Sequence, residues 1–332
     1  MMEERMFGAS GLRVTRLGFG LAAAGRPGYI NLGHAHDLAG GYDLAHMRAQ
    51  AEGVMDAAWA AGVRYFDAAR SYGLAEDFLG GWLRARAIAP EAVTVGSKWG
   101  YTYTAGWRVD AEHHEIKDHS LPVFERQWAE SAALLGPYLD LYQIHSATLE
   151  SGALADRALL RALADRKAQG LRIGLSLSGP QQAETLRAAL DITIDGVRLF
   201  DGVQATWNVL ERSAGAALAE AHAAGLGVIV KEALANGRLT ARNADPQFAG
   251  QRAVLEREAQ RLGATLDALA LAAALAQPWA DVVLSGAATV TTLRSNLAAL
   301  DVAWDAQAEA ALAGLREQPE AYWEARKRLP WN

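Results

Sequence analysis

Short apolar runs rich in β-branched and aromatic residues recur along the chain, and their number is the feature that most constrains the fold. Eight such runs occupy residues 16–22, 63–69, 93–99, 139–145, 172–178, 202–208, 227–234 and 281–287. The segments between them are amphipathic and rich in Ala and Leu, which is typical of strand–helix units. Because eight parallel strands can close into a barrel, we predict a single α/β barrel of the (β/α)8, or TIM barrel, type. An open, doubly wound sheet is the alternative.

The segment 120–136 illustrates how the intervening regions predict helices. Apolar residues recur there at helical spacing and predict one buried face made of Phe124, Trp128, Ala132 and Leu135. Ser120 is expected to cap the start of this helix, and Gly136 to end it in a left-handed conformation. Such helices are expected to form a ring around the strands.

The chain carries no composition break that would divide it. No linker rich in Pro, Gly or Ser is present, so residues 1–332 are expected to form one barrel domain. Residues 5–18 hold a turn-like Gly-Ala-Ser-Gly between two short extended pieces, which predicts a β-hairpin at the barrel floor. Two loops, 25–43 and 100–120, are longer than a connection requires. Both follow strands, so they are expected at the C-terminal rim, where barrel active sites lie.

Composition excludes several classes of protein. The formal net charge of -6 argues against nucleic-acid binding, and the absence of cysteine excludes disulfides and thiolate metal ligands. The start of the chain mixes charges and lacks the apolar region of a signal peptide. The longest apolar stretch, 266–280, is too short to cross a membrane and predicts a buried helix. We therefore expect a cytoplasmic protein with neither membrane nor nucleic-acid partners, and the sequence leaves its oligomeric state open.

Polar side chains end three consecutive strands of the predicted barrel. Asp67 ends the second strand, Lys98 the third and His145 the fourth, and Tyr72 lies just beyond the second. The ends of parallel barrel strands converge on one rim, so these four side chains are expected to meet in one pocket. An ammonium beside a phenol stabilises the phenolate, which predicts a lowered pKa for Tyr72. The group suits proton transfer to a carbonyl oxygen, with His145 orienting that oxygen, but it needs a cofactor as hydride source.

The order of these motifs resembles the aldo-keto reductase superfamily, in particular its bacterial-type members. The three motifs are DAARSYG (67–73), SKWG (97–100) and LYQIHS (141–146), and Ala68 stands where the family usually has Thr. The likeness extends from about residue 16 to about residue 300. It implies a (β/α)8 barrel in which Tyr72 is the general acid/base, Lys98 and Asp67 tune it, and His145 orients the carbonyl.

The same resemblance implies a bound nicotinamide cofactor, and its contacts fall on Ser176, Gln204, Lys231, Leu234, Gly286, Arg294 and Asn296. Ser176 and Gln204 stand at the positions that hold the nicotinamide amide. Lys231 stands where the family has an aromatic residue that stacks on the nicotinamide ring, so Trp207 or Trp99 is the alternative stacking residue. The backbone from Leu234 to Gly237 is expected near the pyrophosphate.

The segment after the eighth strand is implied to bind the adenosine end, through Gly286, Arg294 and Asn296. Arg294 is the only basic residue in this stretch, and a 2′-phosphate is best met by Arg or Lys. The resemblance favours NADP(H), with NAD(H) as the alternative.

We interpret the chain as an enzyme that reduces aldehydes or ketones to alcohols, or the reverse, by hydride transfer from nicotinamide C4. An NAD-dependent aldose dehydrogenase is a second reading, and a nucleotide-sensing interaction subunit, resembling channel β-subunits, is a third. A small carbonyl or alcohol compound is the expected partner. The loop histidines fit no carboxylate–histidine metal spacing, so no metal site is expected; they are His34, His36, His113, His114 and His119.

Overall fold

A computed structural model describes residues 2–39 and 41–332. The strands in chain order are β1 Glu4–Met6, β2 Arg13–Thr15, β3 Leu17–Gly20, β4 Tyr65–Asp67, β5 Thr94–Trp99, β6 Tyr101–Tyr103, β7 Glu115–Lys117, β8 Leu139–Ala147, β9 Arg172–Leu177, β10 Thr193–Ile194, β11 Val197–Arg198, β12 Gly202–Thr206, β13 Gly227–Lys231 and β14 Val282–Ser285. Eight of them close into a barrel in the spatial order β3-β4-β5-β8-β9-β12-β13-β14.

Every neighbouring pair in this barrel is parallel, and neighbours in space are also consecutive barrel strands along the chain. Seven of the eight predicted apolar runs contain one of these strands, and β8 extends two residues beyond the predicted run 139–145, so the predicted (β/α)8 barrel is confirmed. Parallel neighbours need crossover connections, and the helices that supply them cover the outer face of the strands. All strand C-termini therefore lie at one rim.

Helices alternate with the barrel strands, as predicted. Their bounds are α1 His34–Leu38, α2 Leu44–Ala60, α3 Ala75–Ala85, α4 Leu121–Leu135, α5 Arg157–Ala168, α6 Gln182–Leu190, α7 Gly215–Ala223, α8 Ala249–Arg261, α9 Leu266–Leu275, α10 Val290–Leu297, α11 Ala306–Ala313 and α12 Pro319–Lys327. Short 3-10 turns cover Pro90–Ala92, Gly136–Tyr138, Leu149–Ser151, Ala235–Gly237, Pro246–Phe248 and Ala298–Asp301. Among the described residues no helix is both long and apolar enough to cross a membrane.

The buried face of α4 differs from the predicted one. Its buried residues are Phe124, Gln127, Ser131 and Leu135, whereas Trp128 and Ala132 are only partly buried. Gln127 accepts a hydrogen bond from the backbone of Gly100 at 2.8 Å, and Ser131 donates to Glu76 at 2.7 Å. These polar residues are buried because they satisfy buried groups on neighbouring elements. The side chain of Ser120 makes no capping bond.

The predicted N-terminal hairpin closes the barrel floor. β1 and β2 pair antiparallel, and Phe7 between them is fully buried with Tyr65, Leu141 and other side chains from the bottom of the barrel. The Phe7 ring lies against Gly227, where an added Cβ would come within 2.4 Å of the ring. The glycine is therefore required for the close approach of the hairpin to the barrel.

The two long loops lie at the opposite end of the barrel. The first carries α1, and the second folds into the β6–β7 hairpin. Arg26 and Asp37 of the first loop and Tyr101 and Glu115 of the second line a cavity of about 840 Å³ at this rim. The prediction that these insertions form walls at the C-terminal rim is confirmed.

Candidate active site

Asp67, the last residue of β4, and Lys98, near the end of β5, meet inside the barrel and form a buried ion pair. The Lys98 ammonium donates a hydrogen bond to Asp67 and a second one, of 2.9 Å, to the carbonyl of Ala68. Both side chains are almost fully buried. A buried charge is tolerated when it is paired and hydrogen-bonded, which is the case for this pair.

Asp67 also accepts hydrogen bonds from neutral groups on three strands. Its Oδ1 receives the Tyr65 hydroxyl at 3.2 Å, the Gln204 amide at 3.0 Å and the Gln143 amide at 3.4 Å. The carboxylate is therefore held in place as a fixed negative charge that anchors Lys98.

Tyr72 and His145 lie directly above this ion pair. The Lys98 nitrogen is 4.9 Å from the centre of the Tyr72 ring. The Tyr72 hydroxyl is 3.4 Å from Nε2 of His145, and the Ser71 hydroxyl is 3.4 Å from Nδ1 of the same ring. The four side chains predicted to share one pocket thus lie close together at the rim; Asp67, Tyr72 and His145 line the cavity there, and Lys98 does not.

Burial and surrounding cations keep the imidazole of His145 neutral. Desolvation is the largest effect, and the charges of Lys98 and Lys231 add to it, so the pKa of His145 lies well below its usual value. A neutral imidazole has one donor and one acceptor nitrogen. His145 is therefore able to donate from Nε2 when Nδ1 accepts from Ser71.

The pKa of Tyr72 moves in the opposite direction to the one expected from sequence. Burial raises it well above its usual value, and the negative charge of Asp67 raises it further. The prediction of a lowered pKa is wrong for this structure because desolvation and Asp67 outweigh the neighbouring cations. The main opposing cation is Arg26, whose guanidinium carbon lies 5.1 Å from the centre of the Tyr72 ring. Tyr72 is consequently a protonated phenol at neutral pH.

Arg26 is held at this position by several contacts. It is 3% exposed, and its Nη1 donates to the carbonyl of Ser71 at 2.9 Å and to Glu115 at 2.8 Å. The guanidinium also lies over the rings of Tyr29 and Trp331, at 5.4 and 4.8 Å from their centres. The loop between β3 and α1 thus places a fixed cation beside the candidate acid.

These residues lie at the bottom of a cavity of about 840 Å³ at the rim. Aromatic side chains form much of its wall near Tyr72, namely Tyr29, Tyr101, Trp323 and Trp331. Trp99 and Trp207, the predicted alternatives for stacking on the nicotinamide, do not line it. They are buried in the outer core, where Trp99 packs on Phe124 and Trp207 on Trp279.

Charged groups at the end of β13 form the opposite side of the pocket. Lys231 donates a hydrogen bond of 2.8 Å to the Thr206 hydroxyl, and Glu232 pairs with Arg326 of α12. Burial lowers the pKa of Lys231 to about 8, although Glu232 opposes this. Burial would raise the pKa of Glu232, but Arg326 and Lys231 outweigh it and lower this pKa to about 2.

The predicted cofactor-binding residues are only partly brought together. Gln204, Lys231, Leu234, Gly286 and Asn296 line the cavity, whereas Ser176 and Arg294 do not.

Ser176 is fully buried, and its hydroxyl accepts the backbone N–H of Ser146 at 2.8 Å. This bond supports the left-handed conformation of Ser146 (φ 52°), a residue that does line the cavity. Arg294 is exposed on α10 and is not among the residues that line the cavity.

Two buried amide oxygens in the cavity wall suit a dinucleotide. Oδ1 of Asn236 and Oδ1 of Asn296 have no hydrogen-bond partner among the described residues. The side-chain nitrogen of Asn296 is already used, since it donates to Ser285 at 2.8 Å. A buried acceptor without a donor costs about 1–3 kcal/mol, so a ligand amino group there would be stabilised. An adenine ring carries such a group, and the residues present therefore fit the implied cofactor.

Sequence reasoning did not identify several residues of this site, chiefly Arg26, Gln143, Glu232 and Arg326. Gln143 lies two residues before His145 on β8, so the period of the strand would have placed it facing the barrel interior. Arg26 and Glu232 lie in loops, and Arg326 lies in α12. Arg26 pairs with Glu115 and Glu232 with Arg326, and no local sequence pattern indicates either pair.

Comparisons with known proteins show the family of this chain and a fold that it shares with solved structures. The model of the Aldo/keto reductase family matches residues 28–317, which is most of the chain. An aldo-keto reductase from Bacillus halodurans, AKR11C1 in its holo form, superposes with a TM-score of 0.73 at 22% identity, covering 96% of this chain and 97% of that one. An aldo-keto reductase from Pseudomonas aeruginosa gives a TM-score of 0.63 at 23% identity, covering 92% and 96%.

A curated relative, pyridoxal 4-dehydrogenase from Microbacterium luteolum, is 28% identical over 219 residues. The matched region is 57% of this chain and spans 58% of the length of that relative.

Proposed function

The chain belongs to the aldo/keto reductase family and is an oxidoreductase, and from that premise we propose that it interconverts a carbonyl compound and an alcohol with a nicotinamide cofactor. Tyr72 is the general acid/base of this reaction. The observation that carries the proposal is the contact of the Tyr72 hydroxyl with Nε2 of His145 at 3.4 Å, above the Lys98–Asp67 ion pair and at the bottom of a large cavity.

The cofactor supplies or accepts the hydride at C4 of its nicotinamide when it is bound. The chain supplies the proton. Because the pKa of Tyr72 is raised, its phenol carries the proton that a carbonyl oxygen needs on becoming an alkoxide. His145 donates a hydrogen bond from Nε2 to the same oxygen, and Ser71 fixes that tautomer by donating to Nδ1.

Lys98 and Asp67 act on Tyr72 from below. The ammonium stabilises the phenolate left after proton donation, and Asp67 holds the ammonium under the ring. The donors from Tyr65, Gln143 and Gln204 hold the Asp67 carboxylate in place, so its role is to position the ammonium of Lys98.

The residues proposed to hold the cofactor are Gln204, Lys231, Leu234, Gly286 and Asn296, which share the cavity wall. Ser176 acts indirectly, by holding Ser146 in place. Arg294 is exposed, so we do not include it among the residues proposed to contact the cofactor. Asn296 offers its free Oδ1 to the adenine amino group.

A second candidate function is oxidation of a small hydroxylated ring compound, such as an aldose. The wall near Tyr72 combines aromatic faces with the charged groups of Arg26, Glu232 and Arg326, and this mixture suits a ring with several hydroxyl groups. The likeness to a pyridoxal 4-dehydrogenase supports a dehydrogenase acting on a polar ring aldehyde. Initial rates with oxidised and reduced cofactors, against aldoses, pyridoxal and simple ketones, distinguish the two candidates.

Replacement of Tyr72 by Phe tests the central assignment. The variant keeps the ring and loses the hydroxyl, so turnover should fall by about 10²–10⁴-fold, while NADH affinity, measured by quenching of tryptophan fluorescence, stays unchanged. Tyr103→Phe is the matched control, because Tyr103 is half-buried on β6 and does not line the cavity. Full turnover in Tyr72→Phe would refute the role of Tyr72. Cofactor binding without turnover on any carbonyl or alcohol would instead favour an interaction subunit.

A further inference from the structure

The cavity wall formed by α1, α9, α10 and residues 240–242 carries three charged side chains, Asp37, Arg242 and Asp267. Hydrogen bonds link these elements closely. Gln50 donates to the carbonyl of Asp37 at 3.1 Å and to that of Ala288 at 2.7 Å, which connects α1 to the start of α10. Thr265 and Ser295 share a hydrogen bond of 3.2 Å, which places the first turn of α9 beside α10.

The charge of Arg242 is paired with a neighbouring carboxylate. It forms a bidentate pair with Asp37, whose Oδ2 accepts from Nη1 at 2.7 Å while Oδ1 accepts from Nη2. Nη1 also reaches the carbonyl oxygens of Leu32 and Gly33, at 3.4 and 3.3 Å. The hydrogen bond with Asp37 raises the pKa of Arg242, and the charge of Asp267 adds to this effect. The guanidinium is thus neutralised within the protein and has little left to offer an anion.

Asp267 gives this wall an excess negative charge. It has no ion-pair partner among the described residues, and it lies in the first turn of α9. The lining residues that α10 contributes are uncharged, namely Thr291, Thr292, Ser295 and Asn296. Arg294, the basic residue of this helix, is exposed and does not line the cavity. One arginine against two carboxylates leaves a net charge of about -1 along this wall.

We infer that this wall selects NAD(H) over NADP(H), with Asp267 as a specificity-determining residue. The inference rests on the proposed function, in which Asn296 and Gly286 of the same wall meet the adenosine. A 2′-phosphate carries a charge of about -1.5 to -2 at neutral pH and needs cationic donors. At this wall the 2′-phosphate would approach the unpaired carboxylate of Asp267 and the guanidinium of Arg242, which is already paired with Asp37. A ribose 2′-hydroxyl, in contrast, donates to a carboxylate, as in other dinucleotide sites.

Dissociation constants of NADH and NADPH, measured by calorimetry in 0.1 M salt, test this inference without turnover. Wild-type protein should bind NADH at least about tenfold more tightly than NADPH. Asp267→Asn should reduce that preference several-fold by strengthening NADPH binding, and Thr292→Arg should reduce it further by adding a cation to the wall. Asp191→Asn, at the exposed end of α6, removes the same charge elsewhere and should leave the ratio unchanged.

Arg294→Ala distinguishes the rival explanation. A selective loss of NADPH affinity in that variant would assign a 2′-phosphate contact to Arg294 and overturn the inference. Equal or tighter binding of NADPH by the wild type would also overturn it, as would an unchanged ratio in both Asp267→Asn and Thr292→Arg when circular dichroism shows both to be folded. Failure to bind either cofactor would instead refute the proposed function.

Discussion

Arg26 offers a quantitative test of how the rim controls the acidity of Tyr72. Its guanidinium carbon is 5.1 Å from the centre of the Tyr72 ring, and its charge lowers the pKa of that phenol. Glu115, the ion-pair partner of Arg26, raises the same pKa but less strongly. Replacing Arg26 by Gln removes the cation and leaves the carboxylate, whereas Arg26→Gln combined with Glu115→Gln removes both charges.

The magnitude follows from Coulomb's law. If the 5.1 Å between the guanidinium carbon and the ring centre is taken as the separation of the two charges, they interact by about 3 kcal/mol at an effective dielectric constant of about 20. Solvent relaxation in the cavity reduces this, so we expect the phenolate of Tyr72 to lose about 2 kcal/mol of stabilisation in Arg26→Gln, or about 30-fold in its ionisation constant. In the double variant the opposing effect of Glu115 is also absent, and the net loss should be about 1 kcal/mol, or about fivefold.

The assay is the pH dependence of cofactor-dependent alcohol oxidation, because oxidation needs Tyr72 as a base. Below the pKa of Tyr72 the rate should rise with pH, and the single variant should be about 30-fold slower than wild type at each pH on this limb. The double variant should regain part of the lost rate. NADH affinity and thermal melting are measured alongside, so that a loss of binding or folding is not mistaken for a loss of basicity.

Partial recovery in the double variant is the decisive result, since a purely structural role of the Arg26–Glu115 pair predicts the opposite. If the double variant is as slow as the single one, or slower, the electrostatic argument is refuted. Arg26→Lys adds a second check, because it keeps the charge and loses the planar stacking on Tyr29 and Trp331. Its rate should lie closer to wild type than that of Arg26→Gln.

Two further predictions concern the cavity wall and the barrel floor. The pKa of Lys231 is about 8, so its ammonium should repel the cationic nicotinamide of an oxidised cofactor below that pH and lose this effect above it. Affinity for NAD⁺ relative to NADH should therefore rise between pH 7 and 9 in wild type and stay flat in Lys231→Gln; a wild-type ratio independent of pH would contradict this. Phe7→Ala should lower the free energy of unfolding by about 3–5 kcal/mol because it empties a fully buried site. Urea denaturation measures that loss, and a loss below 1 kcal/mol would show that the hairpin does not support the barrel.

The barrel and the grouping of Asp67, Tyr72, Lys98 and His145 at its rim could be predicted because both depend on local sequence. A buried strand needs a short apolar run, and eight runs leave few folds open. A polar residue near the end of such a run falls near the end of the strand. This placed Asp67, Lys98 and His145 at one rim. Because the barrel strands are parallel, their C-terminal ends lie at the same rim and bring these side chains together.

The face of α4 and the acidity of Tyr72 could not be predicted in this way. Gln127 and Ser131 are buried because they satisfy Gly100 and Glu76, which belong to other elements. The pKa of Tyr72 depends mainly on how deeply its hydroxyl is buried. The identity of the neighbouring charged residues does not predict that burial. Both outcomes are set by tertiary contacts, which periodicity does not record.

The same reasoning explains where selectivity in this molecule lies. Three arginines line the cavity in ion pairs that each join distant parts of the chain: Arg26 with Glu115, Arg242 with Asp37, and Arg326 with Glu232. The sequence alone does not show whether an arginine is ion-paired. An arginine that is paired with a carboxylate offers little net charge to an anionic ligand. The charge that a ligand meets then also depends on lining side chains outside these three pairs, among them Lys231 at the end of β13 and Asp267 beside α10. Changing either one should alter ligand preference while leaving the proton-transfer group intact.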